Sequence, residues 1–184
     1  MLTGCDFGGE SPAGLGDALA ACARAGHKRA MTTDDLRAFA ALLPAGGALL
    51  GLDPGTKSIG VAASDARRVV ASPVATLARA RFADTAEAVE RLCRERDVAG
   101  LVVGLAVNMD GSEGPRAQSA RALAANLEAR LGLPVLLWDE RLSTSAVTRT
   151  LIEADLSRRR RRQVIDKLAA TYILQGALDA LARA

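Results

Sequence analysis

Aromatic side chains are scarce in this sequence: one Trp, one Tyr and three Phe among 184 residues. The core must therefore be built from Leu, Val, Ile and Ala. Histidine is scarcer still, a single His27 near the N-terminus, so histidine-based proton transfer and His-ligated zinc are not expected. The cysteines Cys5, Cys22 and Cys93 are odd in number and lack metal-ligand spacing, as in reduced thiols of a cytosolic protein. No run approaches the roughly 18 apolar residues of a membrane span. The first residues carry Asp6 and Glu10 in place of a basic leader. These absences lead to the expectation of a soluble, cytoplasmic protein with no membrane partner.

Charge is balanced overall, with 24 Lys or Arg against 21 Asp or Glu and a formal net charge of +3. Its distribution is uneven. From Arg141 onward nine basic residues face four acidic ones, because five arginines stand in a row from Arg158 to Arg162. Such a run is either a solvated loop or a contact for phosphates.

Residues 1–45 read as an extension, Gly- and Ala-rich up to residue 30, with a short helix near 34–43 capped by Thr32 or Thr33 and ended by Pro44. From residue 46 to 184 the pattern is that of one domain. Three short apolar runs, "ALLGLD" (48–53), "SIGVAAS" (58–64) and "VVASPV" (69–74), suggest an antiparallel meander. A helix opened by Asp84 and Glu87 should bury Val89, Leu92 and Cys93. "GLVVGL" (100–105) is expected to be a strand covered on both faces. A helix over 116–131, a strand over 133–141, a helix from Ser143 to about Leu156 and a long helix after the arginines complete the chain. The order βββαβαβα predicts a ribonuclease-H-like α/β fold: a mixed five-stranded sheet with helices on both faces.

Three acidic positions stand out. Asp53 ends the first strand, Asp139 and Glu140 end the fifth, and Asp166 is followed at helical spacing by Ala169, Ala170 and Ile173. Each also has an ordinary reading, as a turn former before Pro54, as strand-end charges, or as a partner for a nearby arginine. Gathered at one rim, Asp53, Glu140 and Asp166 would repel one another unless divalent cations neutralised them. Oxygen-only ligands favour Mg²⁺ or Mn²⁺, two ions suiting phosphodiester hydrolysis. Lys57, Arg141 and the run Arg158, Arg159 and Arg160 are candidates to hold phosphates. The loop "NMDGSEGPR" adds Asn108 and Arg116 as candidates for the same role, and Asp110 and Glu113 are within reach of such a site.

The stretches "LGLDPGTKSIGVAASD", "LVVGLAVNMDGSEGPRA", "LWDERLST" and "VIDKLAATYILQ" resemble, in order, the YqgF (RuvX) family of Holliday-junction-resolvase-like proteins. The resemblance implies a ribonuclease-H-like fold and a metal-dependent nuclease acting in 5′-end maturation of 16S rRNA. It also implies that Asp53, Glu140 and Asp166 are the family's acidic positions. Ala106 stands where the family usually has Pro, and residues 1–45 fall outside its pattern.

Three other readings remain open on sequence. "DPGTKSIG" also resembles the phosphate loop of actin- and hexokinase-like ATPases, though only one such element is present. The same acidic site could act on DNA four-way junctions, which requires a homodimer for symmetric cutting, whereas other substrates suit a monomer. A non-catalytic nucleic-acid-binding protein would keep the same charges. Few aromatics mean that shape and backbone charge should dominate recognition of any nucleic acid, precursor rRNA or branched DNA.

Overall fold

The computed structural model describes residues 31–108, 110–139 and 158–184, the last with side chains from Lys167 onward. The element order is β1 (Thr32–Thr33), α1 (Leu36–Leu42), β2 (Ala48–Pro54), β3 (Ser58–Ser64), β4 (Ala71–Ala78), α2 (Phe82–Glu95), β5 (Val98–Leu105), α3 (Pro115–Leu131), β6 (Val135–Asp139) and α4 (Arg158–Leu181). One mixed sheet runs β1-β6-β5-β2-β3-β4. The meander β2-β3-β4 is antiparallel, while β5 and β6 lie parallel to β2 and to each other. This is the ribonuclease-H-like arrangement expected from the sequence, with six strands in place of five.

The extra strand comes from Thr32 and Thr33, which pair in parallel with Val135 and Leu136. They do not cap the helix: Asp35 does, accepting from the N–H of Arg37 at 2.8 Å and of Ala38 at 3.3 Å. β-Branched threonines suit the pleated edge, and a carboxylate suits the positive end of a helix. Thr32 Oγ1 further donates to Glu128 Oε2 at 2.6 Å, tying β1 to α3.

Strand alternation sorts the core into two layers. Leu50, Leu52, Val61, Leu101, Val103, Val135 and Leu137 pack with α2 and α3 on one face. Leu49, Ala62, Val102, Leu136 and Trp138 pack with Phe39 of α1 and with α4 on the other. β5 is apolar throughout because it is covered on both sides. Val89, Leu92 and Cys93 are buried as expected, but α2 begins at Phe82, without a side-chain cap. Asp84 instead sits in the first turn and pairs with Arg81 at 3.2 Å.

The third strand is displaced from 69–74 to Ala71–Ala78. Val69 and Val70 are more than half exposed, and Asp65 Oδ1 accepts their N–H groups at 2.7 and 2.9 Å. Those bonds, Val70's foremost, hold the Asp65 carboxyl below its ordinary value. The stabilisation is therefore full above the ordinary carboxylate range and is lost as pH falls through it toward the lower folded value. Thermal unfolding of the parent and Asp65→Asn from pH 7 to pH 3 should show a gap in Tm that narrows with acid. A gap constant across that range would contradict the assignment.

The arginine run is not a loop before the last helix. All five arginines lie within α4, which starts at Arg158, in keeping with the good helix propensity of Arg. The helix predicted from Ser143 to Leu156 falls outside the described residues. No described helix is long and apolar enough to cross a membrane.

Candidate functional site

Because β2, β5 and β6 are parallel, their C-terminal ends share one rim. Leu52 is level with Val103, so Asp53 is level with Gly104, and Gly104 is in turn level with Trp138. On its other side Asp53 pairs with Gly60. Asp53 is 9% exposed, one of few buried polar residues among those described.

The face it occupies follows from the register. Leu50 and Leu52 pack toward α2 and α3, whereas Leu49 packs toward α4. Gly51 also faces α4: a Cβ there would fall 2.7 Å from Leu174 Cβ and 3.1 Å from the Ala170 carbonyl. Asp53 is two residues further along the same face. Its strand neighbours there, Gly60 and Gly104, carry no side chain. These glycines were not predicted as site residues; glycine inside an apolar strand was the available signal.

α4 crosses this face in a defined direction. Gln175 Oε1 accepts from the N–H of Ala71 at 2.9 Å, at the opposite end of the sheet. Leu174 and Ala170 lie over Gly51 at mid-strand. Ala169, Ala170 and Ile173, the positions that follow Asp166 at helical spacing, are 5, 0 and 1% exposed. Asp166 belongs to α4 by its backbone; its side chain lies outside the described residues, as do those of Arg158, Arg159 and Arg160. Glu140 and Arg141 lie outside them entirely. Asp139 alternates with Trp138 and so sits on the face opposite α4. Two strand spacings, about 10 Å, separate β2 from β6.

Of the phosphate candidates, Lys57 is exposed in the β2-β3 turn, and Asn108 and Arg116 are exposed between the end of β5 and the start of α3, at this same rim. The loop is held from within. Asn108 Nδ2 donates to Ser112 Oγ at 2.9 Å, and Asp110 Oδ1 accepts from the Ser112 N–H and hydroxyl at 2.9 and 2.6 Å. Glu113 is engaged by Arg121 Nε at 2.8 Å, which holds its carboxyl below the ordinary value. Asp34 lies 4.0 Å from the same guanidinium. Glu113 is thus committed to α3.

Among the described residues no three His, Cys, Asp or Glu side chains converge. Burial, with Glu90 adding to it, pushes the Cys93 thiol up to about 12, so it is a core residue and not a nucleophile.

A family described as "RuvX: Holliday junction resolvase" matches residues 47–180. The chain belongs to this family. It is 56% identical over 151 residues to a protein of Paracoccus denitrificans, covering 82% of this chain and 96% of the relative. It is 58% identical over 144 residues to a protein of Rhodobacter capsulatus, covering 78% and 91%. Both relatives bear the name "Putative pre-16S rRNA nuclease". Among solved structures, T. thermophilus RuvC in complex with a Holliday junction substrate matches with a TM-score of 0.50 at 12% identity, covering 74% of this chain and 96% of that one. That likeness is one of fold. The family match includes Asp53, Gly60 and Gly104; β1 and Phe39 lie before it, although both pack with the family's sheet.

Proposed function

We propose that this chain is a cytoplasmic, divalent-metal-dependent nuclease that hydrolyses phosphodiester bonds in structured nucleic acid, in the 5′-end processing of pre-16S rRNA. The observation that carries the reading is Asp53: a nearly buried carboxylate at the end of a central strand, facing α4 and flanked by glycines. The names of the relatives supply the substrate.

Glu140 follows directly on β6 in the sequence and matches the family's acidic position there. The direction of α4 carries its backbone from Ala170 toward the same rim at Asp166. A set of carboxylate oxygens without His or Cys fits Mg²⁺ or Mn²⁺. Such ions, two in this reading, supply activated water and charge neutralisation when bound. Asp53, Glu140 and Asp166 hold them; Lys57, Asn108, Arg116, Arg141, Arg158, Arg159 and Arg160 hold and orient the backbone.

The family's description keeps a second substrate in view, the DNA four-way junction, whose symmetric cutting requires a homodimer. The test is cleavage by the purified protein, with Mg²⁺, Mn²⁺ or EDTA, of an RNA spanning the leader–16S boundary and of a DNA four-way junction. Metal-dependent cutting of the RNA is the expected result. Cutting of the junction alone would transfer the activity to branched DNA. Cutting of neither, with binding retained, would overturn the catalytic reading.

A further inference from the structure

We propose that Arg79 is a phosphate-binding residue of this nuclease, fixed in place by the turn that follows Asp53. Arg79 comes directly after β4 and was not singled out in the sequence, where "ARARF" reads as an ordinary strand-to-helix connection. The fold places it at the catalytic rim. Its backbone N–H donates to the Lys57 carbonyl at 3.0 Å, closing the β2-β3 turn. Its Nη1 donates to the carbonyl of Gly55, two residues after Asp53, at 2.7 Å. Its Nη2 donates to Ser119 Oγ on α3.

Both side-chain partners are neutral. The neighbouring cations are answered by acids, Arg81 by Asp84 and Arg121 by Glu113. Among the described residues no carboxylate bonds to Arg79. A guanidinium carries five N–H donors; two are used to hold it still, and the remaining donors and the whole charge stay available at an exposed position. Fixed planar donors with uncompensated charge suit a phosphate, and the ordering entropy of the long side chain has already been met by the two anchors. Asp53 lies on the α4 side of the turn and Arg79 on the α3 side. A nucleic-acid backbone crossing the rim would therefore meet both, with Arg79 on a phosphate beside the one being cleaved.

The proposal rests on the nuclease reading, so its test is one of binding. The dissociation constant of a structured leader–16S RNA is measured against salt concentration for the parent, Arg79→Gln, Arg79→Lys and Arg67→Gln, all in EDTA. Arg67→Gln removes the same charge from the exposed β3-β4 turn at the other end of the sheet. Arg79→Gln should weaken binding about tenfold at low salt and flatten the salt slope by about one unit. Arg79→Lys should keep the slope, and Arg67→Gln should match the parent. An unchanged slope in Arg79→Gln, with unfolding showing the protein folded, would overturn the proposal and leave Arg79 as a clamp on the turn. A slope lowered equally by Arg67→Gln would overturn it too, as diffuse charge. No binding by the parent would instead overturn the nucleic-acid reading itself, and this inference with it.

Discussion

Asp53→Asn is expected to lower metal-dependent cleavage about 10³-fold, equivalent to about 4 kcal/mol of barrier, while the protein stays folded. The substitution keeps the size of the side chain and removes its charge. Asp53 is buried at the end of β2, between Gly60 and Gly104. A neutral amide of the same size should leave the protein folded, so that a loss of cleavage reports on the site itself. Function should fall because the amide is a far poorer ligand for a hard cation. Single-turnover cleavage and thermal unfolding, run on the same preparations, separate the two effects. Cleavage within a few-fold of the parent would remove Asp53 from the site.

Gly51→Ala should have the next largest effect, by a different route. The added Cβ would lie 2.7 Å from Leu174 Cβ and 3.1 Å from the Ala170 carbonyl, so α4 must move away from β2. Overpacking of this kind costs about 1–3 kcal/mol. The shift matters more for the site than for the fold, since Gly51 and Asp53 share a face and Ala170 is one turn from Asp166. Small displacements of catalytic groups reach about 10²-fold in rate, and cleavage measured well below the new Tm should fall by about that much. Gly176→Ala is the contrast on the same helix. Its Cβ would meet the Trp138 indole at 3.4 to 3.6 Å, an ordinary contact. Helix propensity should then make this variant about 0.5–1 kcal/mol more stable. A Gly51→Ala protein as stable and as active as the parent would refute the close approach of α4 to the site.

Much of this architecture was legible in the sequence because apolar runs and helical spacing report which faces are buried. "GLVVGL" reads as a strand covered on both faces and "ALLGLD" as the first strand of a meander, and β5 and β2 are buried along nearly their whole lengths. Asp53 stood out as a charge ending an apolar run, although a turn former before Pro54 would read the same way. What escaped was set by distant contacts. Thr32 and Thr33 form a strand only because Val135 and Leu136 lie alongside, about a hundred residues further along the chain. Val69 and Val70 look like the start of a strand, but Asp65 takes their N–H groups first. Arg79 gains its meaning from Gly55 and Ser119, neither of which its local sequence reveals. Glu113, a candidate by proximity in the loop, is turned aside by Arg121. Periodicity reports burial; it does not report which polar groups will find each other.

In the proposed site, Asp53, Glu140 and Asp166 together hold divalent cations. Calorimetric titration of Mn²⁺ into the metal-free protein, without nucleic acid, tests it most directly, on the parent and on Asp53→Asn, Glu140→Gln and Asp166→Asn. The parent should bind Mn²⁺, and each substitution should weaken that binding by about tenfold or more. Equal Mn²⁺ affinity in the parent and all three variants would contradict it.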